Sequence, residues 1–224
     1  RISHRPPRSR WFASEDSWNQ WMIPTRNDGE LVPFEAAHLP ILRPWFDDTD
    51  VQRWLGGRDW PEMILRLYAS FQPGEEFRGK IVLLQRAFVL LDGNGQPMAL
   101  VTGDLYDRRT DCAGEGPDGP FFVDEPGPHR QTAGLAVVVD PERTREGWGA
   151  CAVASFIAHP DLASAECFIA GIEPDNLASR RLFERCGFIL KSELSDWEGM
   201  LDYRKSVIQA SQPNVVERVA AHPA

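Results

Sequence analysis

The sequence predicts one α/β domain, a mixed sheet flanked by helices, and two observations carry that prediction. The first is a pair of strand–helix units. "AGLAVVVDP" (133–141) leads through a glycine turn into "GACAVASFIA" (149–158), and "AECFIAGI" (165–172) leads into "DNLASRRLFERCGF" (175–188). Both strands are nearly continuous apolar runs, as expected of central strands covered on both faces. The second is a hairpin over 86–106, where two strand runs flank "DGNG", a turn sequence suited to positive φ. A chain of 224 residues supplies one full core, not two.

The remaining elements follow in order. Residues 1–28 begin "RISHRPPRSR", basic and proline-containing with nothing to bury, and are expected to form a mobile arm. "GELVPF" (29–34) is a short strand. The segment 35–46 has Leu39, Leu42 and Phe46 at roughly helical spacing, with Pro40 and Pro44 against it. Asp47 or Asp48 caps a short helix that Gly56 ends, and Pro61 opens a firmer helix over 60–71. Residues 107–130 are rich in glycine and proline and carry Asp107, Asp111, Glu115, Asp118, Asp124 and Glu125 against Arg108, Arg109 and Arg130. They read as a long, flexible acidic loop. Asp175 or Asn176 caps the helix of the second unit, and Gly187 ends it. "FILKSEL" and "MLDYRKSVI" are two closing strands. The domain is expected to span 29–209, with 210–224 as a tail.

The net charge of −9 argues against nucleic acid and anionic membrane surfaces as partners. No stretch approaches the roughly 20 apolar residues of a membrane span. Cys112, Cys151, Cys167 and Cys186 have no metal-ligand spacing and no CxxC pair, which fits a reduced, cytoplasmic protein that uses no metal.

The chemistry starts at "RTREGWGACAV" (143–153). Strand, loop, Gly-x-Gly and buried helix form an architecture that binds phosphate through backbone N–H groups and the positive end of the helix. Neither a dinucleotide fingerprint nor a Walker loop is present.

With the second motif, "EPDNLASRRLFERCGF", the chain resembles the GCN5-related N-acetyltransferases (GNAT). The family's Gln/Arg-x-x-Gly-x-Gly/Ala loop is matched by Thr144, Arg145, Glu146, Gly147, Trp148 and Gly149. Its later Asn-x-x-Ser/Ala and Leu-Tyr/Phe-Glu-Lys/Arg-x-Gly-Phe signature is matched by Asn176, Ser179 and Leu182 to Phe188. The resemblance is strong over about 85–205 and looser from about 35. It implies a mixed, mostly antiparallel sheet with a V-shaped splay between two central parallel strands. It further implies acetyl-CoA as co-substrate, its pantetheine arm along Val137, Val138 and Val139 and its pyrophosphate on the amides from Arg145 to Ala150. Asn176, Ser179 and Phe183 are then expected to face the cofactor.

Two departures stand out. Thr144 replaces the usual first Gln or Arg, and Phe183 replaces a tyrosine that protonates the departing thiolate in many members. Asp104 and Glu173, both acids at strand ends, are the candidate general bases. "WFDDTDVQRWLGG" (45–57) resembles the opening that borders the acceptor pocket in aminoglycoside 6′-acetyltransferase-like and siderophore-type relatives, which marks Trp54. The acidic segment, through Asp118, Asp124 and Glu125, is expected to attract a cationic small-molecule amine. Protein acetylation, or a CoA-binding module with little catalysis, are the alternatives; a homodimer is compatible with the sequence.

Overall fold

The computed structural model describes residues 29–207. The expected arm, the expected tail and the last two residues of the expected domain lie outside the described residues. The chain builds β1 (Glu30–Pro33), then a run of short helical turns around α1 (Leu39–Leu42), then α2 (Thr49–Leu55) and α3 (Trp60–Ser70). Next come β2 (Glu76–Phe77), β3 (Lys80–Leu91), β4 (Pro97–Tyr106), β5 (Thr110–Gly116), β6 (Gly119–Asp124) and β7 (Thr132–Val139). The chain ends with α4 (Trp148–Ile157), β8 (Cys167–Ile172), α5 (Leu177–Arg185), β9 (Ile189–Leu190) and β10 (Leu201–Ser206).

The main sheet has the order β1-β3-β4-β7-β8-β10-β9, with β2 also pairing β3. Every pairing is antiparallel except β7 with β8. Strand alternation sorts the core into two layers. Leu90, Ala99 and Val101 pack with α4 through Trp148, Val153 and Phe156, whereas Val89, Leu100 and Val138 pack with Phe34, just after β1, and with Leu42, Phe46 and Ile64 from the helices at the N-terminal end. β4 and β7 therefore carry apolar side chains on both faces, which is why they read as continuous hydrophobic runs.

Local chemistry sets the boundaries. Asp48 caps α2 by accepting from the amides of Asp50 and Val51, and Gly56 at φ +90° ends it. Asn176, not Asp175, caps α5 through the Ser179 amide, 3.1 Å away. In the 35–46 segment Pro40 and Pro44 break one expected helix into consecutive 3-10 and α turns. Of the expected strand 188–194 only Ile189–Leu190 pairs, because the chain then turns away through 191–200 before β10.

The largest correction concerns 107–130. It is a hairpin, β5–β6, and not a loop. Cross-strand pairing runs from Thr110↔Asp124 to Gly116↔Gly119, and ion pairs pin the hairpin to the main sheet. Arg109 and Arg204 alternate with Asp202 and Glu125 in a ring. Arg109 reaches Asp202 at 2.7 Å and Glu125 at 3.3 Å, and Arg204 reaches Glu125 at 2.6 Å and Asp202 at 2.7 Å. On the other side Arg78 forms a bidentate pair with Glu198, both contacts 2.7 Å, among the rings of Phe77, Phe122 and Trp197.

Candidate functional site

β7 and β8 pair only at Thr132↔Cys167, Ala133↔Phe168 and Gly134↔Ile169. β7 nevertheless continues to Val139 on its partner β4, and β8 to Ile172 on β10. A wedge therefore opens between the two central strands, with its apex at Gly134 and Ile169. Val137, Val138 and Val139 line one wall; Val138 points to the face of α1 to α3, and Val137 and Val139 pack toward α4.

At the mouth of the wedge the chain leaves β7 through Asp140 and turns into α4. Arg145 (φ +68°) and Gly147 (φ +93°) both take left-handed conformations. That geometry brings the amides of Arg145, Gly147, Gly149 and Ala150 to the helix start, and none has a protein acceptor among the described residues. Glycine serves two different ends here. Gly147 supplies the turn. At Gly149 a Cβ would stand 3.0 Å from Leu182 and 3.2 Å from Val139, so its bareness lets α4 sit close against β7 and α5. The Trp148 side chain is buried in the core and its Nε1 donates to Glu146 at 3.2 Å, while Thr144, Arg145 and Glu146 stay exposed.

Two residues on this side serve the fold itself. Asn176 uses its side-chain oxygen to cap α5 through Ser179. Phe183 is 2% exposed and packs edge-on against Phe188 at 5.0 Å, so its ring belongs to the core rather than to an open cleft. Trp54, half-buried, carries the Arg53 guanidinium 4.2 Å over its ring, and Arg53 pairs with Asp175 ahead of α5. Glu173 follows the end of β8, at the mouth.

The apex is built differently. Asp104 pairs with Gly134 in register and so lies on the face of α1 to α3, because Val138 and Gly134 share that face of β7. Tyr106, two residues on, lies over the same spot: a Cβ on Gly134 would be 3.7 Å from its ring and 3.8 Å from Ile169. The Tyr106 hydroxyl donates to Asp104 Oδ2 at 3.1 Å. Asp104 Oδ1 is buried and has no hydrogen-bond partner among the described residues. Burial pushes the Asp104 carboxyl above its ordinary range, against the opposing effects of Tyr68, Tyr106, Gln85 and Lys80. Burial and the Asp104 charge push the Tyr68 and Tyr106 phenols far up, so both remain protonated. Lys80 completes the group, its Nζ 3.8 Å from the Tyr106 ring centre. Burial, then Arg109 and Arg78, bring this ammonium down to about 8. A cavity of about 260 Å³ between α3 and β3 is lined by Phe34, Ile64, Leu65, Tyr68, Gln85 and Ala87 among others, and two of these, Tyr68 and Gln85, also act on Asp104.

The structure thus separates Asp104 and Glu173, one at each end of the wedge. It also takes up most of the acidic segment's charge internally. Asp107 pairs with Arg108, Asp124 with Arg108 and His129, and Glu125 with Arg109 and Arg204. Asp118 stands exposed at the hairpin turn. Sequence reasoning missed Lys80, Tyr68 and Tyr106. Strand alternation from Asp104 was signal enough for Tyr106. Lys80 required the β3–β4 register, which a bulge between Val82 and Leu84 shifts.

Comparison with known proteins bears on this geometry. The acetyltransferase (GNAT) family model matches residues 15–188, and the chain belongs to that family. Comparison with curated protein sequences finds no match. Among solved structures, the aminoglycoside acetyltransferase AAC(6′)-Ib in complex with coenzyme A aligns with a TM-score of 0.53 at 16% identity, over 80% of this chain and 94% of that one. A ribosomal L7/L12 alpha-N-protein acetyltransferase, RimL, aligns with a TM-score of 0.54 at 14% identity, over 83% and 93%. A putative phosphinothricin N-acetyltransferase aligns with a TM-score of 0.50 at 17% identity, over 81% and 99%. These likenesses establish the fold, and the family makes the protein an N-acetyltransferase. No helix among the described residues is long and apolar enough to cross a membrane.

Proposed function

We propose that the protein transfers an acetyl group from acetyl-CoA to the primary amine of a small molecule, by direct attack of the amine on the thioester. The observation that carries this reading is the wedge between β7 and β8, with unpartnered amides at its mouth and a buried carboxylate at its apex. The mouth fits the co-substrate: the amides of Arg145, Gly147, Gly149 and Ala150 would hold the pyrophosphate, and the backbone of Val137 to Val139 the pantetheine arm. Bound there, acetyl-CoA supplies an activated acetyl group.

Asp104 is the proposed general base. Burial raises its pKa and so makes it a stronger base than an exposed carboxylate, and Tyr106 fixes one carboxylate oxygen while the other is left for the acceptor's N–H. The acceptor nitrogen bonds to the acetyl carbon, the C–S bond breaks with its electron pair on sulfur, and the nitrogen's proton passes to Asp104. Phe183 supplies no proton. A thiol with a pKa near ~8.5 leaves readily as the anion. Glu173, beyond the end of β8, fits the cofactor end better than the reacting amine.

The acidic segment was the main ground for a cationic acceptor, and the pairing of Asp107, Asp124 and Glu125 with arginines weakens it. The reading is tested by following thiol release from acetyl-CoA across a panel of primary amines. Acetylated product from at least one small amine is the expected result. Binding of acetyl-CoA without transfer to any of them would support the module that binds CoA and does little chemistry.

A further inference from the structure

Two groups of opposite charge at the apex are left incompletely satisfied, the Lys80 ammonium and the Asp104 Oδ1 oxygen, and we infer from them the class of the acceptor. It is an amino-acid-type molecule, a primary amine that carries its own carboxylate or phosphonate group a few bonds away. This inference deepens the acetyl-transfer reading and rests on it.

The first charge is Lys80. Its ammonium packs on the Tyr106 ring at 3.8 Å and near Phe77 at 5.8 Å, and it makes no hydrogen bond or ion pair with a described residue. Glu198, one of the two acids that act on it, is already held in a bidentate pair by Arg78. The other is Asp104, which lies across the Tyr106 ring. Arg78 and Arg109 add further positive charge around Lys80. The second charge is Asp104, whose Oδ1 is buried and unpartnered. The Lys80 ammonium is half-buried and has no acceptor among the described residues, the Asp104 oxygen is buried without a donor, and the two act on each other only through space, not by a contact.

One ligand answers both. An acceptor's amine donates to Asp104 Oδ1 while its acid group accepts from Lys80 Nζ, the two groups spanning one phenol ring. The cavity beside Tyr68 and Gln85 takes the remaining carbon chain. The pairing around β5–β6 agrees, since it ties up Asp107, Asp124 and Glu125 and weakens the acidic field that would favour a purely cationic amine.

The charge state fits as well. With Arg109, Arg78, Glu198 and Asp104 around it, Lys80 titrates at about 8, so it is mostly protonated at pH 7 and loses its charge above that. Binding of an acid-bearing acceptor should weaken on that alkaline side.

The test compares α-, β- and γ-amino acids with their carboxamides, measured as acceptor kcat/KM, on the wild type, Lys80→Met and Lys80→Arg. At least one acid should exceed its amide by ~10-fold or more. Lys80→Met should abolish that preference and Lys80→Arg should keep most of it, with the acetyl-CoA Kd unchanged in both. Amides that serve equally well, or a preference that survives Lys80→Met, would overturn the inference. If Lys80→Met fails to fold, the wild-type acid-to-amide ratio and a fall in kcat/KM near pH 8 confined to the acids decide the matter. If no amine is acetylated, the acetyl-transfer reading fails separately. Calorimetric titration of the same acids and amides then decides the inference, which is overturned unless an acid binds and its amide does not.

Discussion

The two ends of the β7–β8 wedge use different parts of the chain. The mouth offers backbone: exposed amides at a glycine turn, where most side chains point away or, like Trp148, into the core. The apex offers side chains: Lys80 from β3, Asp104 and Tyr106 from β4 and Tyr68 from α3, largely removed from water. A site made of main chain tolerates substitution, which explains why Thr144 can stand where relatives carry Gln or Arg. A site made of buried ionisable side chains does not, and it costs the fold stability that a packed apolar cluster would not cost.

That contrast is open to direct attack, and the largest effect belongs to the apex. Asp104→Asn should lower acceptor kcat/KM by ~10²- to 10³-fold, since it removes the base. The acetyl-CoA Kd should stay within about twofold, because the two ends share no partners. Thermal unfolding should show no loss of Tm, because a buried charge with an unpaired oxygen has been removed. Phe183→Tyr should next cost about 1–3 kcal/mol in denaturant unfolding, with no gain in turnover, because the new hydroxyl enters the core beside Phe188. At the mouth, Gly147→Val forces a branched residue to a φ of +93° and should weaken acetyl-CoA binding by at least ~10-fold in calorimetry, about 1.4 kcal/mol. The smallest effect is expected at the hairpin. Arg204→Ala breaks the partly exposed ring with Glu125 and Asp202 and should cost about 1 kcal/mol, seen as a lower denaturant midpoint.

The same contrast explains what could be read from the amino-acid sequence. The mouth is local: strand, Gly-x-Gly and helix are contiguous, so the loop at 143–149, the strands beside it and the two helices were all legible. Asp104 was legible only as an acid at a strand end, on equal terms with Glu173; the register with Gly134 is what separates them. Lys80 was invisible because β3 begins six residues before the apolar run that announced it. The hairpin 110–124 escaped because its glycines and prolines mimic loop composition. What makes it a hairpin is the docking of Arg109, Phe122 and Glu125 onto distant residues, which no local propensity records. Phe183 read as a cofactor contact by analogy with a tyrosine, but without a hydroxyl nothing opposes its burial.

The most direct test of Asp104 at the apex as the base is the pH dependence of acceptor kcat/KM, with the acetyl-CoA Kd measured over the same range. A base must be deprotonated to act, and burial raises the Asp104 pKa, so the rate should climb with pH through a value above the ordinary carboxylate range. Of the groups around it, Tyr68 and Tyr106 stay protonated and Gln85 carries no charge, while Lys80 loses its charge at about 8, which would lower the rate and not raise it. This rise should be present in the wild type and missing in Asp104→Asn, while the acetyl-CoA Kd stays flat in both. A rise that persists unchanged in Asp104→Asn would contradict the assignment of Asp104 as the base.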